Sequence, residues 1–100
     1  MQEIPTHTGP HIPQIKFHVV GEVQGVNFRR FVSRQARSIG LTGWVSNHSD
    51  GSVRGEAQGS ERQIQDFVPH LYKGPEAASV KSVNTDDIDS KGGEEGFVVK

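Results

Sequence analysis

Gly21-Glu22-Val23-Gln24-Gly25-Val26-Asn27-Phe28-Arg29 is the stretch on which the reading of this chain turns. Upstream of it, Ile15, Phe17 and Val19 alternate with Lys16, His18 and Val20, the period-two pattern of a half-buried strand. Downstream, Phe28, Phe31, Val32, Ala36 and Ile39 form an apolar stripe at helical spacing. Arg30, Ser33, Arg34 and Arg37 lie off that stripe, and Gly40 follows as a terminator. A glycine-bearing turn that feeds a helix start aims several main-chain N–H groups at one spot. Their unpaired donors and the positive end of the helix dipole favour an anion there. Arg29 adds a permanent charge with a planar fork of donors, suited to bidentate contact with phosphate. The nucleotide motifs do not fit: the glycines are too close for a P-loop, no lysine follows, and Phe28 stands where a third glycine is needed. On its residues alone the stretch is either an anion cradle or a plain strand-to-helix turn whose glycines serve positive φ.

Beyond the first helix, Leu41 to His48 reads as a second strand and Ser49-Asp50-Gly51 as a hairpin turn. A third strand puts Val53, Gly55 and Ala57 on one face and Arg54, Glu56 and Gln58 on the other. Ser60 with Gln63 makes a capping box for a second helix, whose buried face is Ile64, Phe67, Val68 and Leu71. Pro69 interrupts that helix and should kink it or end it early. Lys73-Gly74-Pro75 stops it; Val80 to Asp86 reads as a strand, Asp87 to Gly96 as a polar loop, and Phe97 to Val99 as a short closing strand. The order β-α-β-β-α-β, with room for a fifth short strand, predicts an α+β fold: an antiparallel sheet with two helices on one face. A right-handed crossover makes the first two strands run the same way, which brings Asn47 to the same end of the sheet as the glycine stretch.

One hundred residues support one domain, and about a quarter are Leu, Ile, Val or Phe, enough for a core. The net charge of −1 gives no field to attract nucleic acid or anionic lipid. Without cysteine there are no disulfides, thiol nucleophiles or thiolate metal sites. No run is long and apolar enough for a membrane span, and no signal peptide is evident, so the cytoplasm is the expected compartment. Residues 1–14, with Pro5, Pro10 and Pro13, read as a flexible leader to a domain at 15–100. His7 and His11 have chelating spacing, but the prolines argue against a helix and no further ligand completes a shell, so no metal site is expected.

The glycine stretch resembles the signature of the acylphosphatase family, G-x-V-Q-G-V-x-F/Y-R, at Gly21, Val23, Gln24, Gly25, Val26, Phe28 and Arg29. A second family block is matched at Gly43, Trp44, Val45, Asn47, Asp50 and Gly51, and the similarity runs from about Ile15 to Val99. The resemblance implies a two-layer ferredoxin-like sandwich with the third strand inserted between the first two. It also implies hydrolysis of acyl phosphates to carboxylate and inorganic phosphate without metal or cofactor. On it, Gly21, Glu22, Val23, Gln24, Gly25, Val26 and Asn27 form the phosphate-binding loop, Arg29 binds phosphate and Asn47 orients the attacking water.

The residues argue in the same direction. Oriented amides, a guanidinium and a carboxamide can hold a phosphoryl group and stabilise its equatorial charge, which is most of what a loose phosphoryl-transfer transition state needs. With no evident general acid, the site suits a leaving group already stable as an anion, as a carboxylate is and an alkoxide is not. Gln24 is expected to shape the loop, Trp44 to pack, and His48 to be exposed rather than to act as a base. The expected partner is a small acyl phosphate, bound by a monomer. The alternative is a non-catalytic anion- or acyl-phosphate-binding module, such as the acylphosphatase-like domains within larger hydrogenase-maturation carbamoyltransferases; a chain ending at Lys100 with no further domain weighs toward the enzyme. RNA binding is disfavoured, since the third strand has no aromatic to stack on bases.

Overall fold

The period-two run at the head of the domain forms strand β1, Gln14–Glu22, in a computed structural model that describes residues 13–89 and 95–100. The strand thus begins at Gln14, one residue before the apolar alternation. Residues 1–12, including His7 and His11, and residues 90–94 of the expected polar loop lie outside the described residues. Helix α1 (Phe28–Ile39), strands β2 (Thr42–Asn47) and β3 (Val53–Gln58), helix α2 (Glu61–Lys73), and strands β4 (Ser79–Ile88) and β5 (Phe97–Val99) follow. The sheet order is β4-β1-β3-β2-β5. β3 lies between β1 and β2 and is antiparallel to both, so these two run the same way, roughly 9–10 Å apart at two strand spacings. The fold is the expected α+β, ferredoxin-like sandwich.

One expectation needs correcting. The sheet is mixed rather than wholly antiparallel, because β5 pairs in parallel with β2 through Gly43–Phe97, Trp44–Val98 and Val45–Val99. β4 runs antiparallel to β1 on one edge, and the chain reverses once before reaching the other edge. A strand arriving there has the direction of β1 and β2. The fifth strand, left open by the sequence, is therefore real and closes the edge beside β2.

The inner faces of β1 and β3 alternate as expected, with Ile15, Phe17, Val19, Val53 and Ala57 buried against Val32 and Ala36 of α1 and Phe67 and Leu71 of α2. Phe67 lies centrally, 5.6 Å from Phe17 in an edge-on contact and 6.3 Å from Phe97. Helix α1 ends on Gly40 in the left-handed region (φ 98°), whose N–H donates to the Ala36 and Arg37 carbonyls. The capping box at α2 is formed in both directions, Gln63 N–H to Ser60 Oγ at 3.1 Å and Ser60 N–H to Gln63 Oε1 at 2.8 Å. Gln63 Nε2 also donates to the Ile39 carbonyl (3.0 Å), which ties the start of α2 to the end of α1.

Helix α2 does not end early at Pro69; it continues to Lys73, and Gly74 N–H closes it on the His70 carbonyl at 2.9 Å. Proline removes the N–H that the Gln65 carbonyl would accept, but both residues are exposed, so water can satisfy that oxygen. The flanking Phe67 and Leu71 are fully buried, and their burial outweighs the lost bond. β4 is longer than its weak alternation suggested and reaches Ile88. It is an edge strand exposed along most of its length, so its sequence carries little apolar periodicity. Trp44 sits on the open face of the sheet, half-buried, with the Lys100 ammonium 4.8 Å from its ring centroid. No helix among the described residues is long and apolar enough to cross a membrane.

Candidate active site

The glycine stretch divides into two parts. Gly21 and Glu22 belong to β1 and pair with Val80 and Ser79 of β4 across a register shift that follows Val20. At φ 140°, a side chain on Gly21 would run into the Ser79 carbonyl, so the bulge itself requires a glycine here. The loop proper is Val23 to Asn27. Gly25 (φ 75°) and Asn27 (φ 61°) both take left-handed conformations, which glycine and asparagine tolerate best. No atom lies within 4 Å of where a Gly25 side chain would begin, so its backbone is open to approach. Asn27 caps α1 without a side-chain cap bond, and the first turn carries no acidic residue. None of the main-chain N–H groups from Gln24 to Phe28 donates to a main-chain oxygen among the described residues. These donors are left for solvent or a ligand.

Gln24 holds this loop to the β2–β3 hairpin. Its side-chain amide donates to the His48 carbonyl at 2.7 Å and to the Ser52 carbonyl at 2.9 Å. The loop-shaping role expected of Gln24 therefore has a concrete form: it fixes the separation of the two walls. The hairpin is stiffened from its own side by a His48 N–H to Ser52 carbonyl bond (2.9 Å) and a Gly51 N–H to His48 carbonyl bond (3.1 Å). Asp50 accepts from the Ser52 hydroxyl and main-chain N–H and from Arg54 Nη2 at 2.7 Å. The Ser52 hydroxyl first, then its N–H, then Arg54, hold the Asp50 carboxyl well below the usual carboxylate range. His48 is exposed, and its Nδ1 accepts from the Asp50 N–H at 3.3 Å.

A cleft of about 440 Å³ opens between these walls, lined by Val23, Gly25, Asn27, Arg29 and Asn47 among others. Arg29 projects from the first turn of α1, and its Nη1 donates to the Lys100 main-chain oxygen at 2.9 Å, which fixes the guanidinium and leaves its other N–H groups available. Asn47 ends β2, and its carboxamide has no hydrogen-bond partner among the described residues. Of the residues expected at the site, Val23, Gly25, Asn27, Arg29 and Asn47 come together here. Gly21, Glu22, Gln24 and Val26 do not line the cleft: Gly21 and Glu22 pair in the sheet, Gln24 faces the hairpin, and Val26 packs against the core.

The cleft also takes in Phe28, Arg30, Ser33, Arg37 and Val99, which the sequence did not mark. Residues 30, 33 and 37 share a helical face by their spacing, a signal available in the sequence but read only as the polar side of α1. Val99 had no local signal, since only the parallel pairing of β5 with β2 brings it there. Arg37 reaches across to β5, donating to the Phe97 carbonyl through Nε at 3.1 Å and Nη2 at 2.7 Å. Among the described residues, no carboxylate or histidine side chain lines the cleft, and no cluster of three or more histidine or acidic side chains that could hold a metal occurs. Oriented amides, a fixed guanidinium and an unpaired carboxamide make an arrangement that can hold a tetrahedral oxyanion and aim a water at it.

Comparison with known proteins gives the same assignment. The family model described as Acylphosphatase matches residues 15–99. An acylphosphatase of Salinibacter ruber is 41% identical over 87 residues, covering 87% of this chain and 92% of the relative. Among solved structures, an acylphosphatase from Coxiella burnetii superposes with a TM-score of 0.85 at 37% identity, covering 90% of this chain and 94% of that one. Full-length HypF, in a phosphate- and nucleotide-bound form, matches at TM-score 0.83 and 28% identity over 92% of this chain but only 12% of its own.

Proposed function

The chain belongs to the acylphosphatase family, and from that premise we propose that it hydrolyses acyl phosphates in the cleft between Arg29 and Asn47. The observation that carries the reading is the convergence, in one cleft, of unpaired loop N–H groups, the Arg29 guanidinium and the free Asn47 carboxamide. The phosphoryl oxygens sit against the N–H groups of Gly25, Asn27 and Phe28 at the start of α1, with Arg29 clamping two of them. Asn47, across the gap set by β3, accepts from one water proton and holds the water oxygen in line with phosphorus. Attack forms a P–O bond to the water and breaks the bond to the acyl oxygen, whose electron pair leaves on the carboxylate. Both water protons end on the product, R–CO–O–PO₃²⁻ + H₂O giving R–COO⁻ + H₂PO₄⁻.

The guanidinium and amides supply the charge stabilisation that such a transfer needs, so the reading uses no metal. The carboxylate leaves without protonation, which suits a cleft that no acid side chain among the described residues lines. The loop, Arg29 and Asn47 all come from one chain, so neither a second copy nor nucleic acid is required. Purified protein should release phosphate from benzoyl phosphate in the presence of a chelator, and Arg29→Lys should lower kcat by about 10²–10³-fold. An ammonium cannot reproduce the fork presented to the equatorial oxygens. A near-normal rate in that variant would remove Arg29 from the mechanism.

A further inference from the structure

Three arginines line the cleft, Arg29, Arg30 and Arg37, and no aspartate or glutamate among the described residues does. Two of the three are held by main-chain oxygens: Arg29 by Lys100 and Arg37 by Phe97. Arg30 is different. It is exposed, and its guanidinium has no hydrogen-bond or ion-pair partner among the described residues. It follows Arg29 in a first helical turn that carries no acidic residue, where a second cation is unfavourable against the dipole and nothing on its own element offsets it. A phosphoryl dianion beside the loop answers the charge of Arg29 and the helix end, and leaves Arg30 without a counter-charge. Of the apolar residues in the lining, Val23 and Phe28 are buried and Val99 is exposed, so Val99 offers the apolar surface that a hydrocarbon or aryl spacer can cover.

We propose that Arg30 is a specificity residue that selects acyl phosphates carrying a second anionic group on the acyl side, the distal anion pairing with its guanidinium while the phosphoryl group occupies the loop. This rests on the reading of the cleft as an acyl phosphate site. The reacting bond is unchanged; Arg30 acts on binding of the remote group and so on KM more than on kcat.

The test compares 4-carboxybenzoyl phosphate with benzoyl phosphate and the size-matched, neutral 4-methylbenzoyl phosphate. A para carboxylate hardly alters the acidity of the leaving acid, so a preference reports recognition and not reactivity. The wild-type protein should favour the carboxylated substrate about fivefold in kcat/KM at low salt, the size of an exposed charge pair, and the preference should shrink as salt is added. Arg30→Gln should bring the ratio to about one, and Arg30→Lys should restore part of it, since a charge remains without the fork. A wild-type ratio at or below one, or an unchanged ratio in Arg30→Gln, would overturn the assignment. Hydrolysis of benzoyl phosphate without any preference sinks this inference alone. Failure to cleave all three sinks the acyl phosphate reading with it.

Discussion

At the scale of single residues, the candidate site rests on one side chain held by a hydrogen bond and one placed by its backbone alone, both lining the cleft. Arg29 is steadied by the Lys100 main-chain oxygen, and Asn47 is placed by its pairing with Val53 at the end of β2. Asn47→Ala is expected to lower kcat on benzoyl phosphate about 10²-fold while leaving the Kd for inorganic phosphate within about twofold, because only the water loses its guide. Phosphate titration followed by heteronuclear NMR would separate the two effects, and an equal loss in both would assign Asn47 to binding. Asp50 provides a pH-dependent check on the hairpin wall. Its carboxyl is held below the ordinary value of 3.8, so the ionised form is favoured by folding. Its contribution is fully present above about pH 4 and is lost as pH falls through the lower, folded-state pKa. A carboxyl titration by NMR should find Asp50 still ionised where ordinary aspartates are protonated, and Ser52→Ala should raise its midpoint.

At the scale of elements, most of the secondary structure follows from the sequence because each segment carries its own start, period and stop. The Ser60–Gln63 box, the Gly40 terminator and the alternation in β1 and β3 need no tertiary information. Two elements did not read as cleanly. β4 is an exposed edge strand whose side chains face solvent, so no apolar rhythm marks its full length. Pro69 carries a strong local penalty that is overridden by the burial of Phe67 and Leu71 on either side. Because Pro69 itself is exposed, Pro69→Ala should restore the bond to the Gln65 carbonyl and stabilise the protein by about 1–3 kcal/mol in urea denaturation. A destabilised Pro69→Ala would mean that the proline fits its site without strain and acts mainly by restricting the unfolded chain.

At the scale of the whole molecule, one aromatic centre joins the two layers to the edge strand: Phe67 of α2 against Phe17 of β1 and Phe97 of β5. Phe67→Ala should cost about 3–5 kcal/mol, a large share of the stability of a domain this size, read as a lower denaturation midpoint. Loss of that contact should also loosen β5, which the Arg37 fork and the Lys100 N–H to Val45 carbonyl bond (2.8 Å) otherwise hold in place. Local sequence by itself determined the elements, the layered α+β class, the loop with its left-handed glycine and the cation at the helix start, because each depends on neighbours a few residues away. Tertiary structure alone decided that β5 joins β2 in parallel, that Gly21 and Glu22 pair with β4, and that Arg30, Arg37 and Val99 share the cleft with Asn47. Those facts arise from strand order and from contacts between residues far apart in the chain, which local periodicity does not encode.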